Sequence, residues 1–217
     1  MPVDPKKAAF IRANTSVMAP PHVPEIRLHL ASEAHELWSL TEEELDAAGV
    51  PPPYWAFAWA GGQGLARYVL DHPDVARGRR VADFATGCGL VGIAAALSGA
   101  RHVAAVDIDP FCGTAVTLNA ALNGVPIEFD GRDLIGTGMI DVDVMLAGDV
   151  FFDREMAARI TPWFERLAGK GMTILVGDPG RSYLPRDHLT LLAEYEVPVT
   201  RALEDGEVKR TVVWRFD

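Results

Sequence analysis

The chain has 217 residues, of which 49% are hydrophobic, so it is long enough to form one domain with a large buried core. Its formal net charge of −10 disfavours broad contact with nucleic acid, whose phosphates bind basic surfaces. The sequence contains no apolar run near the roughly 18 to 20 residues that cross a bilayer, so no membrane segment is predicted.

The first 50 residues are predicted to form an extension that packs on a core domain, residues 51–217. In the extension, the sequence predicts a short strand over Glu25–Leu30 and two short helices, Ser32–Leu37 and Thr41–Ala48. The chain begins without the apolar core of a signal peptide, so secretion is not predicted.

An aromatic, irregular segment, Tyr54–Trp59, follows and leads into a helix predicted over Gln63–Asp71. Trp59 is a candidate for stacking on a bound cofactor or covering one end of it. The alternative is that this tryptophan is an ordinary core residue.

The next segment predicts a βαβ unit that binds an adenosine-containing cofactor. An apolar strand, Arg80–Phe84, runs into a glycine-rich turn, a helix of small residues, Leu90–Leu97, and a second strand, His102–Val106. Asp107 then follows the second strand, where a carboxylate can accept hydrogen bonds from two ribose hydroxyls. The N–H groups that begin the helix point toward whatever binds over the turn.

Two cofactor classes fit this unit. Gly87, Gly89 and Gly92 match the GxGxxG pattern of nicotinamide-binding proteins. Asp83 argues against that class, because the diphosphate of a dinucleotide repels a nearby carboxylate. S-adenosylmethionine has no phosphate and carries a positive sulfonium, so it tolerates the acid. The string from Asp83 to Gly89 is similar to the first motif of seven-strand methyltransferases, with Ala85 in the place of a glycine, and favours that class.

The rest of the chain continues the alternation of strands and helices and ends in two strands. The predicted elements are helix Phe111–Leu122, a weak strand Pro126–Phe129, strand Val142–Ala147, helix Arg154–Leu167, strand Met172–Val176, helix Arg186–Tyr195, and strands near Tyr195–Thr200 and Val208–Phe216. This order predicts an α/β fold with a doubly wound, mostly parallel sheet and an antiparallel hairpin at its end.

The residues after the fourth strand of the core are candidates for the reacting site, because ligands of such sheets bind beyond the carboxyl ends of the strands. The Asp149 carboxylate can accept a hydrogen bond from an amine that receives a methyl group. Phe151 and Phe152 can wall a channel for that amine. The alternative is a helix start, with Asp153 as its cap and both phenylalanines packed.

Three further segments leave alternatives open. The loop after the fifth strand is either a plain turn or a substrate contact through Arg181 and Tyr183. Asp133 is a candidate acceptor for an adenine amino group, with Leu134 packing against the ring. No metal site is predicted, because the six histidines lack metal-ligand spacing.

The two cysteines, Cys88 and Cys112, lie in the glycine-rich turn and at the start of a predicted helix, so no disulfide is expected. This pattern favours the cytoplasm, or the mitochondrial matrix if the host is eukaryotic. A monomer is the default expectation.

Five segments together resemble one family: Pro53–Pro73, Asp107–Val125, Asp133–Gly136, Gly148–Asp153 and Gly177–Pro185. The chain is similar over nearly its whole length to lysine methyltransferases of the electron transfer flavoprotein β subunit and their bacterial relatives. The resemblance implies a seven-strand, Rossmann-like class I methyltransferase with S-adenosylmethionine as cofactor. The β subunit is the implied partner, with a ribosomal protein as a second candidate substrate.

The predicted site residues follow from the motifs and the resemblance. The predicted catalytic residues are Asp149 and Phe152, and Phe152 stands where many relatives have tyrosine. Ala60 replaces the family's usual proline after the tryptophan. The predicted cofactor contacts are Trp59, Asp83, Ala85, Gly87, Gly89, Asp107, Ile108, Asp133, Leu134 and Gly148.

The sequence therefore predicts a protein-lysine N-methyltransferase. Three other classes stay open: a methyltransferase of the same fold acting on a small molecule, an RNA base or another protein; a nicotinamide-dependent reductase; and a binding module without activity. RNA is disfavoured by the net charge of −10, and the reductase by Asp83 and the final pair of strands. The intact turn, Asp107 and Asp149 argue against loss of activity.

Overall fold

The fold is a seven-stranded mixed sheet with helices on both faces. The computed structural model describes residues 4–31, 52–139, 141–199 and 207–217. The strands are β1 (Ser16–Met18), β2 (Leu28–Leu30), β3 (Arg80–Phe84), β4 (His102–Val106), β5 (Glu128–Asp130), β6 (Val144–Gly148), β7 (Thr173–Asp178), β8 (Leu189–Pro198) and β9 (Val208–Phe216). The helices are α1 (Pro5–Asn14), α2 (Ala60–Asp71), α3 (Leu90–Leu97), α4 (Pro110–Asn123) and α5 (Arg154–Ala168).

The strand order is β5-β4-β3-β6-β7-β9-β8, and the pairs from β5 to β7 are parallel. β9 runs antiparallel to both β7 and β8. This confirms the predicted doubly wound sheet with an antiparallel hairpin at its end. β1 and β2 form a separate two-stranded sheet.

Successive residues of the central strands enter opposite faces of the sheet, as the two-residue period of a strand requires. On β6, Val144 and Leu146 belong to a buried cluster that includes residues of α2 and α3. Their neighbours Met145 and Ala147 belong to a second cluster, which includes residues of α5. The strand is therefore apolar throughout, which explains why its sequence shows no alternation.

The N-terminal residues 4–31 contribute to the core. Ile11 of α1 is fully buried in a third cluster with Trp55 and with Phe111 of α4, and Leu28 of β2 is buried against the cluster of α2 and α3. The Asp4 carboxylate accepts hydrogen bonds from the first N–H groups of α1, and this cap and the proline after it are the signals that could have predicted the helix.

One predicted helix is wrong. Residues Arg186–His188 form a single 3₁₀ turn, and Leu189 begins β8, a strand of ten residues that pairs with β9 with an irregularity between Leu191 and Ala193. The Leu, Ala and Glu side chains of this segment favour a helix in isolation, but pairing with a long neighbouring strand overrides that weak preference. The predicted strand near Tyr195–Thr200 overlaps the end of β8, which the structure ends at Pro198.

The predicted helices Ser32–Leu37 and Thr41–Ala48 lie outside the described residues. The predicted strand at Glu25–Leu30 is shorter, Leu28–Leu30. Among the helices of the described ranges, none has the length and apolar character needed to cross a bilayer.

Candidate active site

The turn between β3 and α3 is built from residues in the left-handed backbone region. Ala85, Gly87 and Gly89 have φ of 53°, 52° and 84°. Glycine adopts this conformation freely, whereas alanine does so at a cost of roughly 1 to 2 kcal/mol. This explains why a glycine is usual at position 85. A Cβ at Gly89 would lie 3.2 Å from Cγ2 of Val116, so the turn also packs closely against α4.

Asp107 lies beside this turn, at the carboxyl end of β4. Its Oδ2 accepts a hydrogen bond from the Gly87 N–H at 3.0 Å, and its Oδ1 accepts one from the Asp109 N–H at 3.0 Å. An ionised carboxylate has about four acceptor positions, so acceptor capacity remains for hydroxyl groups of a ligand. The next residue, Ile108, is 72% exposed. A carboxylate and an exposed apolar side chain thus lie side by side at the turn.

Asp83 is buried beneath the turn, with 2% of its surface exposed. Its Oδ2 accepts hydrogen bonds from the Thr86 hydroxyl and from the Gly92 N–H. Burial raises the pKa of Asp83 to about 7, and the nearby Asp107 charge adds to the rise. Through these two hydrogen bonds, Asp83 stabilises the turn and the start of α3.

We expect the variant Asp83→Asn to gain stability relative to the wild type as pH rises from 5 to 8. The pKa of Asp83 is about 7 in the folded state against 3.8 in the unfolded one, so the folded protein binds the extra proton between these values. Stability contributed by this group falls as pH rises through that window, by up to about 1.4 kcal/mol per pH unit. An asparagine oxygen in the place of Oδ2 keeps both hydrogen bonds and does not ionise. Melting temperatures of both proteins across this pH range test the prediction, and a pH-independent difference would contradict it.

Asp133 and Leu134 lie after β5, and both already contact other residues of the protein. The Asp133 carboxylate accepts a hydrogen bond from Arg159 at 2.6 Å and another from the Ile135 N–H at 3.0 Å. Leu134 is partly buried against the cluster that contains Phe84. Both remain cofactor contacts by prediction only, and Asp133 would have to share its carboxylate with Arg159.

Asp149 follows β6 and is held by three donors. Its Oδ1 accepts hydrogen bonds from Nη2 and Nε of Arg181, at 2.7 and 3.2 Å, and its Oδ2 accepts one from the Gly62 N–H at 2.9 Å. The residue has a φ of 58°, which few residues other than glycine adopt. Burial raises the pKa of Asp149 to about 6, although the Arg181 charge and these hydrogen bonds oppose the rise.

The Gly62 N–H belongs to the first turn of α2, where backbone donors have no partner inside the helix. The side chain of Trp59, the N-cap residue of this helix, forms no hydrogen bond with these donors. Asp149 thus supplies the missing acceptor from another element, and its negative charge lies at the positive end of the helix.

Three glycines allow α2 to approach the strand ends this closely. A Cβ at Gly177 would lie 2.1 Å from the Gly61 carbonyl oxygen, and one at Gly61 would lie 2.6 Å from Oδ2 of Asp149. Gly148 was predicted to contact the cofactor, and its position has a packing reason as well. A Cβ there would lie 2.8 Å from Cα of Gly62.

Exposed aromatic side chains lie near Asp149. Tyr54 and Phe152 are 48% and 47% exposed, and their ring centroids are 5.8 Å apart. The rings of Tyr54 and Trp59 are 6.0 Å apart, and the Arg181 guanidinium lies 5.9 Å from the Trp59 ring. We call Tyr54, Trp59 and Phe152 the aromatic rim. It connects to Asp149 through Arg181.

The two phenylalanines after Asp149 have different environments. Phe151 is fully buried and packs edge-on against Phe164 of α5, as the alternative interpretation predicts. Asp153 caps α5 by accepting a hydrogen bond from the Met156 N–H. Phe152 is left at the surface, where it is available to a ligand.

The loop after β7 is both a tight turn and part of the site. Oδ1 of Asp178 accepts hydrogen bonds from the N–H groups of Gly180 and Arg181, at 2.6 and 2.7 Å. This turn sets the backbone from which Arg181 reaches Asp149. Tyr183 lies further along, 38% exposed, with the Arg154 guanidinium 5.7 Å from its ring.

Sequence reasoning did not predict the pairing of Arg181 with Asp149 or the contact of Gly61 with Gly177. A usable signal was the repeated Gly-Asp pair, Gly148-Asp149 and Gly177-Asp178, at the ends of neighbouring strands. Within the described ranges, no group of acidic, histidine and cysteine side chains has the arrangement of a metal site.

The sheet order and the glycine turn are those of the class I methyltransferase fold. A family model described as ribosomal protein L11 methyltransferase (PrmA) matches residues 65–148. Magnesium protoporphyrin IX methyltransferase from Synechocystis PCC 6803, solved with bound SAM, is similar in fold, with a TM-score of 0.52 over 72% of this chain and 80% of that one, at 17% identity.

Sequence similarity then defines the family. The electron transfer flavoprotein beta subunit lysine methyltransferase of Mus musculus is 37% identical over 99% of this chain and 86% of its own length. The Homo sapiens protein of that name is 36% identical over 99% of this chain and 83% of its own length. The chain belongs to this family of lysine methyltransferases, which confirms the resemblance seen in the sequence.

Proposed function

We propose that this enzyme transfers a methyl group from S-adenosylmethionine to a lysine of the electron transfer flavoprotein β subunit. One structural observation supports the proposal independently of the relatives' names. The Asp149 carboxylate lies at the carboxyl end of β6, the strand paired with β3 ahead of the glycine turn, and the aromatic rim borders it. A ligand over the turn and an amine between the rim and Asp149 would meet there.

The residues at the turn fit the adenosyl part of S-adenosylmethionine. Asp107 has acceptor capacity for the ribose hydroxyls, and Ile108 offers an exposed apolar surface to the adenine ring. Gly87 and Gly89 let the backbone approach the ligand, Ala85 is a predicted contact in the same turn, and Asp83 fixes the turn beneath it. When bound, S-adenosylmethionine supplies a methyl group with electrophilic character.

We expect Ile108→Ala to weaken binding of S-adenosylmethionine about three- to tenfold without lowering stability. The side chain is 72% exposed, so the folded protein loses little packing, whereas a bound adenine ring loses buried apolar area. Titration calorimetry measures the affinity and thermal denaturation the stability. Leu191→Ala, at another exposed apolar residue on β8, serves as the control and should leave affinity unchanged. Equal affinity in Ile108→Ala and the wild type would place the adenine elsewhere.

The protein must deliver the lysine amine uncharged and in line with the methyl group. A free lysine has a pKa near 10.4, so about one in a thousand is neutral at physiological pH, a cost of roughly 4 kcal/mol. When a protein substrate covers the aromatic rim, water is excluded and desolvation lowers that pKa. Asp149 has about one acceptor position left beside its three donors, which suits one hydrogen bond from the amine. Asp149 therefore orients the amine, and Phe152 walls its path.

The substrate is a protein surface and not a small molecule in this proposal. The exposed rings of Tyr54 and Phe152 form an apolar rim of the kind that protein partners cover. The match of residues 65–148 to the L11 methyltransferase model makes a ribosomal protein the second candidate.

We place the enzyme in the cytoplasm, or in the mitochondrial matrix of a eukaryotic host, and take it to act as a monomer. The buried free thiols of Cys88 and Cys112 suit a reducing compartment.

The test is label transfer to purified electron transfer flavoprotein from S-adenosylmethionine labelled in its methyl group. Mass spectrometry of the digested β subunit should find the methyl group on lysine. A cytoplasmic extract is treated in parallel. Label in extract proteins but not in the flavoprotein would keep the methyltransferase and replace its substrate, and label in small metabolites would favour the small-molecule alternative.

A further inference from the structure

Arg181 contacts the carboxylate of the proposed methyl-accepting site. Its side chain is 22% exposed and lies against Asp149, whose side chain is 10% exposed. Two of its nitrogens donate to the same carboxylate oxygen, Oδ1. The Asp178 turn fixes its backbone N–H, so the side chain starts from a constrained position. A permanent positive charge is thus fixed beside the carboxylate that we expect to hold the amine.

A lone carboxylate creates a problem for lysine methylation. A negative charge beside the lysine stabilises the ammonium form, which has no electron pair for attack on the methyl group. The Arg181 guanidinium offsets the negative charge of Asp149. A lysine entering as an ammonium ion would be repelled by the guanidinium charge, whereas a neutral amine would not.

The remaining acceptor capacity of Asp149 supports this interpretation. Arg181 fills both acceptor positions of Oδ1, and the Gly62 N–H fills one of the two at Oδ2. One position at Oδ2 remains, enough for a single hydrogen bond from an amine N–H. An ammonium group has three donors, so it would leave more of them unsatisfied than a neutral amine once a substrate covers the site.

We propose that Arg181 is a positioning residue that balances the charge of Asp149, so that the site holds an uncharged amine and not an ammonium ion. The inference rests on the proposed lysine methylation and assigns a role that Asp149 cannot fill alone. No covalent step involves Arg181. The electron pair of the amine forms the new N–C bond, the methyl–sulfur bond of the sulfonium would break with its electron pair going to sulfur, and the neutral thioether would leave. The proton released from the methylated nitrogen goes to bulk water.

Other charged groups act on the pair. Asp178 lies close enough to oppose ionisation of Asp149, and Arg186 favours the ionised form of Asp178. α2 contributes the Gly62 N–H. Arg181 is the cation that contacts Asp149 among the groups that shift its pKa.

The test compares Arg181→Gln, which removes the charge, with Arg181→Lys, which keeps the charge and loses the planar fork. Arg154→Gln is the matched control, because it removes a positive charge that contacts the Tyr183 ring and not the Asp149 carboxylate. The first readout needs no substrate: the Asp149 carboxyl carbon is titrated by NMR. We expect its midpoint to rise by about one to two pH units in Arg181→Gln and by less than about half a unit in the other two.

The second readout is the pH dependence of methyl transfer at saturating S-adenosylmethionine. In Arg181→Gln, the rising limb of the pH profile should move up by about one pH unit or more. Loss of the positive charge raises the pKa of Asp149 and also the pKa of the lysine, so a higher pH is needed for an ionised carboxylate and a neutral amine. Arg181→Lys should lose rate but keep the midpoint of the wild type. A merely structural role predicts lower rates with no change of midpoint.

Two results would overturn the inference: unchanged midpoints in Arg181→Gln, or equal shifts in the lysine and glutamine variants. If the wild type methylates no lysine of the flavoprotein, the proposed substrate fails separately. The NMR titration then decides whether Arg181 keeps Asp149 charge-balanced.

Discussion

Replacing Asp149 with asparagine is expected to reduce the rate of methyl transfer by about a hundredfold or more while S-adenosylmethionine still binds. The carboxylate faces donors on both oxygens, Arg181 on Oδ1 and the Gly62 N–H on Oδ2. An asparagine must turn its NH2 group toward one of them, which loses a hydrogen bond and misplaces the group that orients the amine. Misplacement by about 1 Å can cost a hundredfold in rate.

Rates are measured by label transfer and cofactor affinity by titration calorimetry. The control is Asp153→Asn, four residues along, because Asp153 is exposed and caps α5 with a hydrogen bond to the Met156 N–H. Asparagine caps helices as well as aspartate does, so this variant should keep the wild-type rate. An Asp149→Asn enzyme with a third or more of the wild-type rate would remove Asp149 from the proposed mechanism.

Gly61→Ala is expected to destabilise the protein by about 3 kcal/mol or more, which corresponds to a melting temperature lower by roughly 10 °C. The new Cβ would lie 2.3 Å from the Gly177 carbonyl oxygen and 2.6 Å from Oδ2 of Asp149. Backbone cannot move aside as a flexible side chain can, so α2 must shift away from the ends of β6 and β7.

The neighbouring residue gives a matched control in the same helix turn. A Cβ at Gly62 would lie 3.9 Å from Cγ2 of Val91, an ordinary contact, and alanine favours a helix over glycine by up to about 1 kcal/mol. Gly62→Ala should therefore be neutral or slightly stabilising. Thermal and urea denaturation of both variants test the close approach of α2, and equal effects at the two positions would refute it.

The βαβ unit could be predicted to the residue because its signals are local. Apolar strands, a glycine turn and a run of small residues set the bounds of β3, α3 and β4 as the structure has them. The helix predicted over Arg186–Tyr195 failed for the opposite reason. Its residues have helical preference, but β8 is determined by pairing with β9, a contact with a partner further along the chain.

The candidate site was predicted as separate residues and not as a connected arrangement. Asp149 and Asp107 were predicted from their places after strands, and the structure puts both at the carboxyl edge of the sheet. The Arg181 contact with Asp149 spans 32 residues along the chain, so no local pattern reveals it. Phe151 and Phe152 are adjacent residues of the same type, so the sequence does not show which ring is buried. Packing against α5 buries Phe151 and leaves Phe152 exposed. The roles assigned to these residues in binding and catalysis stay predictions.

The most direct test of the account is the identity of the methylated amino acid. Protein labelled by the wild type with methyl-labelled S-adenosylmethionine is hydrolysed completely in acid, and its amino acids are separated. The account predicts that the label co-migrates with Nε-methylated lysine and that Asp149→Asn, at equal concentration, leaves that fraction almost unlabelled. Label in another amino acid, or equal labelling of lysine by the variant, would contradict the assignment of lysine methylation to the site at Asp149.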